Sequence, residues 1–256
     1  MNGEKNSSPV KERYIIIMRH GERSDLVEFN QSCNIMDPEL TEEGKNQAHE
    51  AGNRLKQILE AKFAEETYEY KSDAKKIVLL SSPFTRTLQT AKYIKNGMGL
   101  NIPIYIENGL SEFISKNWFR NSPSEFLSYY KLLNLDNDNM GKSNKLENSQ
   151  KEYFLKEFMC DVIINQSITR LPEYPESTNK CITRFQNTLD SVMLYYLHRK
   201  NFDVMILVTH YFGIQVLCDK LEIPVDYYDV EYASTFIFKY NETTEKYKFI
   251  SFFYPA

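Results

Sequence analysis

The 256-residue chain carries 31 Lys and Arg against 35 Asp and Glu, a net charge of −4. That balance excludes a broad electrostatic grip on nucleic acid or on an acidic membrane surface. Any affinity for phosphate must come from a local cationic pocket, and the length suffices for one large domain with a substantial core.

Cys33, Cys160, Cys181 and Cys218 are scattered, without the paired spacing of a zinc ribbon or a redox site, so free thiols and no metal are expected. The first twelve residues are polar and predicted to be flexible, with no apolar signal stretch. No segment is apolar for long enough to span a bilayer. A cytoplasmic protein is the expectation, with no cofactor and a homodimer left open.

Residues 14–18 are a β-branched apolar run that reads as a buried strand and ends in Arg19-His20-Gly21. From Thr41 the pattern turns helical. Glu42 and Glu43 suit the positive end of a helix, and Ala48, Ala51, Leu55, Ile58 and Leu59 form an apolar stripe running to about residue 66. Residues 77–80 predict a second strand, followed by Ser81-Ser82-Pro83 and a helix that carries Arg86 in its first turns. A third strand is predicted at 102–106, and the turn at Asn108-Gly109 leads to Leu110-Ser111-Glu112.

Residues 113–175 break this rhythm and are read as a cap or insertion, flexible through the Asn-rich stretch 134–150. Its aromatic residues, Trp118, Phe119, Phe126, Tyr129 and Tyr130, read first as the core of a helical cap. The alternative is stacking on an aromatic substrate. Ile182, Phe185, Leu189, Val192, Met193, Tyr196 and Leu197 define a long amphipathic helix, and residues 204–208 a strand ending in Thr209-His210. A helix to about residue 221 and two antiparallel strands, 235–240 and 247–253, complete the chain. Strands alternating with helices predict an α/β fold, a three-layer α/β/α sandwich with a mainly parallel central sheet. Ligands of such folds sit beyond the carboxyl ends of the strands, where His20, Glu112 and His210 fall.

Phosphoryl transfer needs positioning and neutralisation of charge on the nonbridging oxygens. Arg19, Arg23 and Arg86 offer planar paired donors for that purpose. A neutral His20 among them is a candidate nucleophile, since nearby cations disfavour the imidazolium. Glu112 is the candidate proton donor to the leaving group and later the base toward water, and His210 a further phosphate donor. Each residue alone reads equally well as structural or solvated; their recurrence at successive strand ends is what points to a phosphate site.

The segments 17–23 (Ile-Met-Arg-His-Gly-Glu-Arg), 40–48 (Leu-Thr-Glu-Glu-Gly-Lys-Asn-Gln-Ala), 81–91 (Ser-Ser-Pro-Phe-Thr-Arg-Thr-Leu-Gln-Thr-Ala), 110–113 and 208–210 together resemble the histidine phosphatase superfamily, also called phosphoglycerate mutase-like. They fall in family order and span about residues 14–253, within a domain placed at 13–256. The resemblance implies a metal-independent phosphatase in which His20 becomes a phosphohistidine, Arg19, Arg86 and His210 hold phosphate, and Glu112 moves the proton. The Arg-His-Gly-Glu-Arg form and Trp118 are most similar to the phosphatase domain of the ubiquitin-associated, SH3-containing suppressors of T-cell receptor signalling, which would add Arg23 to the phosphate site. Tyr211 departs from the small residue many members place after the second histidine. The implied substrate is a phosphorylated small molecule or a phosphoprotein. A phosphoglycerate mutase and a noncatalytic phosphate-binding protein are the rival readings.

Overall fold

In the computed structural model, the β-branched run near the N-terminus becomes β1 (Glu12–Arg19), and its side chains alternate between two separate cores. Tyr14, Ile16 and Met18 join one cluster, while Ile15 and Ile17 join the other. A strand buried on both faces has no solvent side, so residues 14–18 are apolar throughout instead of at every second position. The structure describes residues 12–27, 36–66, 76–127, 156–158, 161–163, 167–199, 201–223 and 230–255.

The remaining strands are β2 (Ile77–Ser81), β3 (Ile104–Ile106), β4 (Val162–Ile163), β5 (Val204–Thr209), β6 (Thr235–Asn241) and β7 (Lys246–Phe253). They form one seven-stranded sheet in the order β4-β3-β2-β5-β1-β6-β7. The pairs from β4 through β1 are parallel, and the β1–β6 and β6–β7 pairs are antiparallel. The mainly parallel sheet expected from the sequence is therefore present, with an antiparallel hairpin on one edge. β3 is shorter than the predicted 102–106 because Pro103, which has no N–H to donate, sits just before it. β4 was not foreseen; it lies within the stretch read as an insertion and extends the other edge of the sheet.

Helices α1 (Ser24–Val27), α2 (Glu42–Glu66), α3 (Thr85–Met98), α4 (Pro123–Phe126), α5 (Thr178–Arg199) and α6 (Tyr211–Lys220) surround the sheet. Ala48, Ala51, Leu55 and Leu59 of α2 and Leu88, Ala91 and Ile94 of α3 pack in the first cluster. Phe185, Leu189, Val192 and Tyr196 of α5 and Ile214 and Leu217 of α6 pack in the second. Helices thus cover both faces, giving three layers. Among the described residues no helix is long and apolar enough to cross a membrane. The N-terminal segment 1–11, the Asn-rich stretch 134–150, Tyr129, Tyr130, Cys33 and Cys160 lie outside the described residues.

The loop after β1 is clamped onto the start of α2. Thr41 Oγ1 accepts the Gly44 N–H at 2.9 Å and donates to Glu22 Oε1 at 2.8 Å, while Gln47 Oε1 accepts the Glu22 N–H at 3.0 Å. The Thr, Gly and Gln of segment 40–48 are thereby explained as a cap, a close approach and a loop anchor. A Cβ on Gly21 would overlap the Gly44 carbonyl, and one on Gly44 would overlap the Glu22 backbone. Gly44→Ala should therefore destabilise the fold by about 1–3 kcal/mol, the usual cost of forcing atoms into a packed contact. Urea unfolding measures this, and an unchanged midpoint would contradict so tight a seat.

Candidate active site

The parallel strands β1, β2, β3 and β5 all end on the same edge of the sheet, and their first irregular residues converge there. His20 continues β1, its N–H donating to Thr209 O at 3.0 Å, and Ser82 continues β2, donating to Val208 O at 3.0 Å. His210 follows β5 directly and serves as the N-cap residue of α6. Glu112 arrives after β3 through the single 3-10 turn at Asn108–Leu110. The His20 and His210 rings stand 5.4 Å apart, and ligand atoms of His20, Glu112 and His210 all lie within 4.8 Å of one another.

Arg86 is the centre of this group. It is 1 % exposed, and its Nη2 donates to Glu112 Oε2 at 3.2 Å and to His210 Nδ1 at 3.1 Å. Asp37 Oδ1 lies 4.0 Å from Nη1 and also accepts the Thr85 N–H, capping the helix that carries Arg86. Yet Nε and Nη1 of Arg86, like Nε of Arg19, are buried with no hydrogen-bond partner. An unpartnered buried N–H on a cation costs a few kcal/mol, on the order of 1–3, and is relieved when an oxyanion arrives.

Hydrogen bonding fixes which nitrogen of each histidine is available. His20 Nδ1 lies 2.8 Å from the Gly21 carbonyl, which accepts only, so Nδ1 carries the proton and Nε2 keeps its lone pair. For His210, Nδ1 accepts from Arg86 while Nε2 donates to Ser82 Oγ at 2.7 Å. Glu112 Oε2, 3.3 Å from the same Nδ1, becomes its acceptor once that nitrogen is protonated.

Charge follows from burial and neighbours. Burial first, then Arg86, His210 and Arg19, hold His20 well below the usual imidazole range, so it is neutral at pH 7. Burial lowers His210 to about 4, with Glu112 only partly opposing it. Burial works to raise the Glu112 carboxyl, but His210 and Arg86 outweigh it and keep the group ionised. Burial lowers Arg86 to about 10, which leaves it a cation.

Two histidines and a carboxylate at this spacing are also a plausible donor set for a divalent ion. Arg86 decides against that reading. Its guanidinium occupies both Glu112 and His210 Nδ1, and its unpartnered N–H groups, with that of Arg19, need an acceptor instead of another cation. The donor set fits an anion.

Beside the anion site lies a cavity of about 280 Å³ lined by Arg23, Met36, Arg86, Glu112, Phe113, Trp118, Phe119, Tyr211 and Phe212. Arg19, His20, Arg86, Glu112 and His210, the residues singled out from the sequence, are brought together. Arg23 lines the cavity, but Asp25 holds its guanidinium through two hydrogen bonds of 3.0 and 2.6 Å. Phe119 and Phe126 stack on each other at 5.4 Å and are buried, so they are core, whereas Trp118 is 77 % exposed. Tyr211 forms part of the cavity wall, its ring 5.3 Å from the Arg19 guanidinium.

Sequence reasoning missed Arg184. From α5 it donates to the carbonyls of Gly109, Ser111 and Glu112 at 2.7, 2.9 and 3.1 Å, and it is ion-paired with the buried Glu176. It pins the backbone that presents Glu112. Asp37 and Tyr232 were also missed; the latter's ring lies 4.2 Å from the Arg19 guanidinium. Nothing local in the sequence marks these residues, because each acts across a long chain separation.

A family model described as histidine phosphatase superfamily (branch 1) matches residues 15–145, just over half of the chain. The chain belongs to the histidine phosphatase superfamily. Solved structures with this superfamily's fold include an ecdysone phosphate phosphatase from Bombix mori in complex with tungstate, at 15% identity and TM-score 0.60, covering 95% of this chain and 94% of that one. A phosphoglycerate mutase from Bacillus anthracis follows at 16% identity and TM-score 0.56, covering 94% and 93%. A phosphoserine phosphatase from Entamoeba histolytica, in complex with 3-phosphoglyceric acid, aligns at 20% identity and TM-score 0.51, covering 95% and 98%. No curated protein matches the sequence. At these identities the likeness establishes the superfamily fold and leaves the reaction to the site.

Two predictions follow from this geometry. Sulfate, a dianion of the kind the unpartnered N–H groups need, should raise the pKa values of the buried histidines when it binds. Binding between pH 5 and 6.5 should take up protons, because His210 rises from about 4 toward or past its ordinary 6.5. Calorimetry in buffers of different ionisation enthalpy reads the sign, and proton release would contradict it. Arg184→Met should destabilise the protein by about 3 kcal/mol by leaving Glu176 buried and unpaired. A midpoint within experimental error of the parent would show that pair to be dispensable.

Proposed function

We propose that this protein hydrolyses phosphate monoesters through a phosphohistidine on His20, without a metal. The observation that carries the reading is the fixed tautomer of His20, with Nε2 left free beside the unpartnered N–H groups of Arg86 and Arg19. The two arginines receive the nonbridging oxygens, and His210, once protonated, adds a third donor by exchanging Glu112 for phosphate at Nδ1. Arg23 contributes positive field, its contact with Asp25 being the bond it must loosen to touch phosphate. Within the superfamily, Arg23 and Trp118 support a likeness to the phosphatase domain of the ubiquitin-associated, SH3-containing suppressors of T-cell receptor signalling.

In the first step the Nε2 lone pair attacks phosphorus in line. The P–N bond forms, the ester P–O bond breaks, and its electron pair leaves on oxygen, which takes a proton from Glu112. Glu112 is ionised in the free protein, so it must gain that proton as substrate binds. A phosphate dianion provides the cause, since it draws Arg86 away from the carboxylate and adds negative charge beside it. In the second step water attacks phosphorus and gives a proton to Glu112. The P–N bond breaks, its pair returns to Nε2, and inorganic phosphate leaves. Of the stretch 113–175 read as a cap, Phe113, Trp118 and Phe119 line the cavity beside this site while Val162–Ile163 extends the sheet edge, and a single domain of residues 13–256 is part of this proposal.

His20→Ala should abolish phosphate release and leave no acid-labile, base-stable phosphoenzyme in a rapid-quench experiment. Phosphate trapped on serine or cysteine instead would defeat the assignment. Glu112→Gln should slow alkyl esters by about 100-fold or more and aryl esters by much less, because phenolates depart with less protonation. Equal losses across the leaving-group series would remove Glu112 from the acid role. Conversion of 3-phosphoglycerate to its 2-isomer without phosphate release would replace the hydrolase reading with a mutase.

A further inference from the structure

We infer that the cavity beside the anion site is a leaving-group subsite for a small apolar ring system, so that the substrate is a small phosphomonoester of a ring-bearing alcohol or phenol. The inference rests on the hydrolase reading and adds what it leaves open. The cavity begins at Arg86 and Glu112, where the scissile ester oxygen must lie, and continues between aromatic walls. Phe113, next in sequence to Glu112, is stacked on Phe212 of α6 with ring centroids 5.2 Å apart and planes 26° apart. That pair is a preformed apolar face adjoining the proton donor. Trp118 and Tyr211 complete the rim at 77 % and 41 % exposure, and Met36 and Phe119 close the remainder. Large aromatic surface left open to water around a concave site gains free energy when an apolar group covers it.

The lining is as informative for what it lacks. Among the described residues the lining holds no Ser, Thr, Asn, Gln, Lys or His, so the hydroxyls of a sugar or of glycerol meet few neutral partners there. Most polar groups in this lining are engaged. Arg23 is held by Asp25, Arg86 by Glu112 and then by phosphate, and the Tyr211 hydroxyl accepts from Gln215 at 3.1 Å, keeping only its own O–H to donate. A carboxylate on the leaving group would lose water, meet in Arg23 a cation already paired with Asp25, and face the charge of Glu112. Desolvating such a group without a partner is costly, which turns the walls against phosphorylated hydroxy acids. At about 280 Å³ the cavity falls just below the usual roughly 300–1,000 Å³ of small-molecule sites, a size for a compact ring group and not for an extended chain.

Trp118 is the one tryptophan in the chain, which gives the subsite its own reporter. In the 256-residue chain, 1-naphthylphosphonate should quench Trp118 fluorescence saturably, tungstate should compete, and methylphosphonate should give no comparable change. Among substrates, benzyl phosphate should exceed glycerol 3-phosphate in kcat/KM by about tenfold or more, and naphthyl phosphate should exceed phenyl phosphate by about tenfold. Each pair keeps the ester type constant, so the ratio reports the walls more than the leaving-group chemistry. Trp118→Ala removes an exposed side chain and should lower the naphthyl-to-phenyl ratio at least about threefold. Absence of quenching, or glycerol 3-phosphate turned over as well as benzyl phosphate, would overturn the subsite while leaving the hydrolase intact. Saturable quenching with no phosphate released from any monoester would do the reverse. A phosphotyrosine peptide used more efficiently than naphthyl phosphate would overturn the assignment to a small molecule.

Discussion

The whole site depends on one buried cation. Arg86 sits at the start of α3 with almost no water around it; Glu112 and Asp37 support its charge, and His210 accepts one of its N–H groups. Glu112, His210 and Asp37 surround it. Those neighbours come from three separate parts of the chain, so the cation can be placed only after the sheet has assembled its strand ends. Its partners are in turn shaped by it: it helps hold Glu112 ionised and adds to the burial that keeps both histidines neutral. A site whose charges define one another in this way has a fixed sign toward ligands. It rejects a second cation and accepts an anion.

Much of the fold was legible because the interior strands are buried on both faces. Such strands appear as continuous apolar runs, and their ends appear as abrupt polar residues, which is why His20, Glu112 and His210 were found together. The helix caps were less visible in their detail. Thr41 and Gln47 read as a family pattern, and only the folded chain shows them holding the backbone of Glu22. β3 is shorter than its pattern because Pro103 cannot pair, and β4 is two residues long, too short to produce any periodicity.

The supports of the site escaped the sequence for a different reason. Arg184 sits on the amphipathic helix α5 among residues whose spacing signals only packing, and its three carbonyl partners lie more than seventy residues earlier. Asp37 precedes α2 yet caps α3. Neither relation has a local signature. The aromatic stretch after Glu112 divides, with Phe119 and Phe126 in the core as expected and Trp118 in water. Adjacent residues of one chemical type were separated by the direction in which the chain turned.

The unpartnered N–H groups of Arg86 and Arg19 carry a consequence for the protein's life in solution. The free protein stores a desolvation penalty that any tetrahedral oxyanion discharges, so whatever occupies the site also shifts the folding equilibrium toward the native state. On the proposed hydrolase reading, the released phosphate would be both inhibitor and preservative. Abundant phosphate would then hold the protein folded and idle, and scarce phosphate would leave it active on a scaffold closer to unfolding.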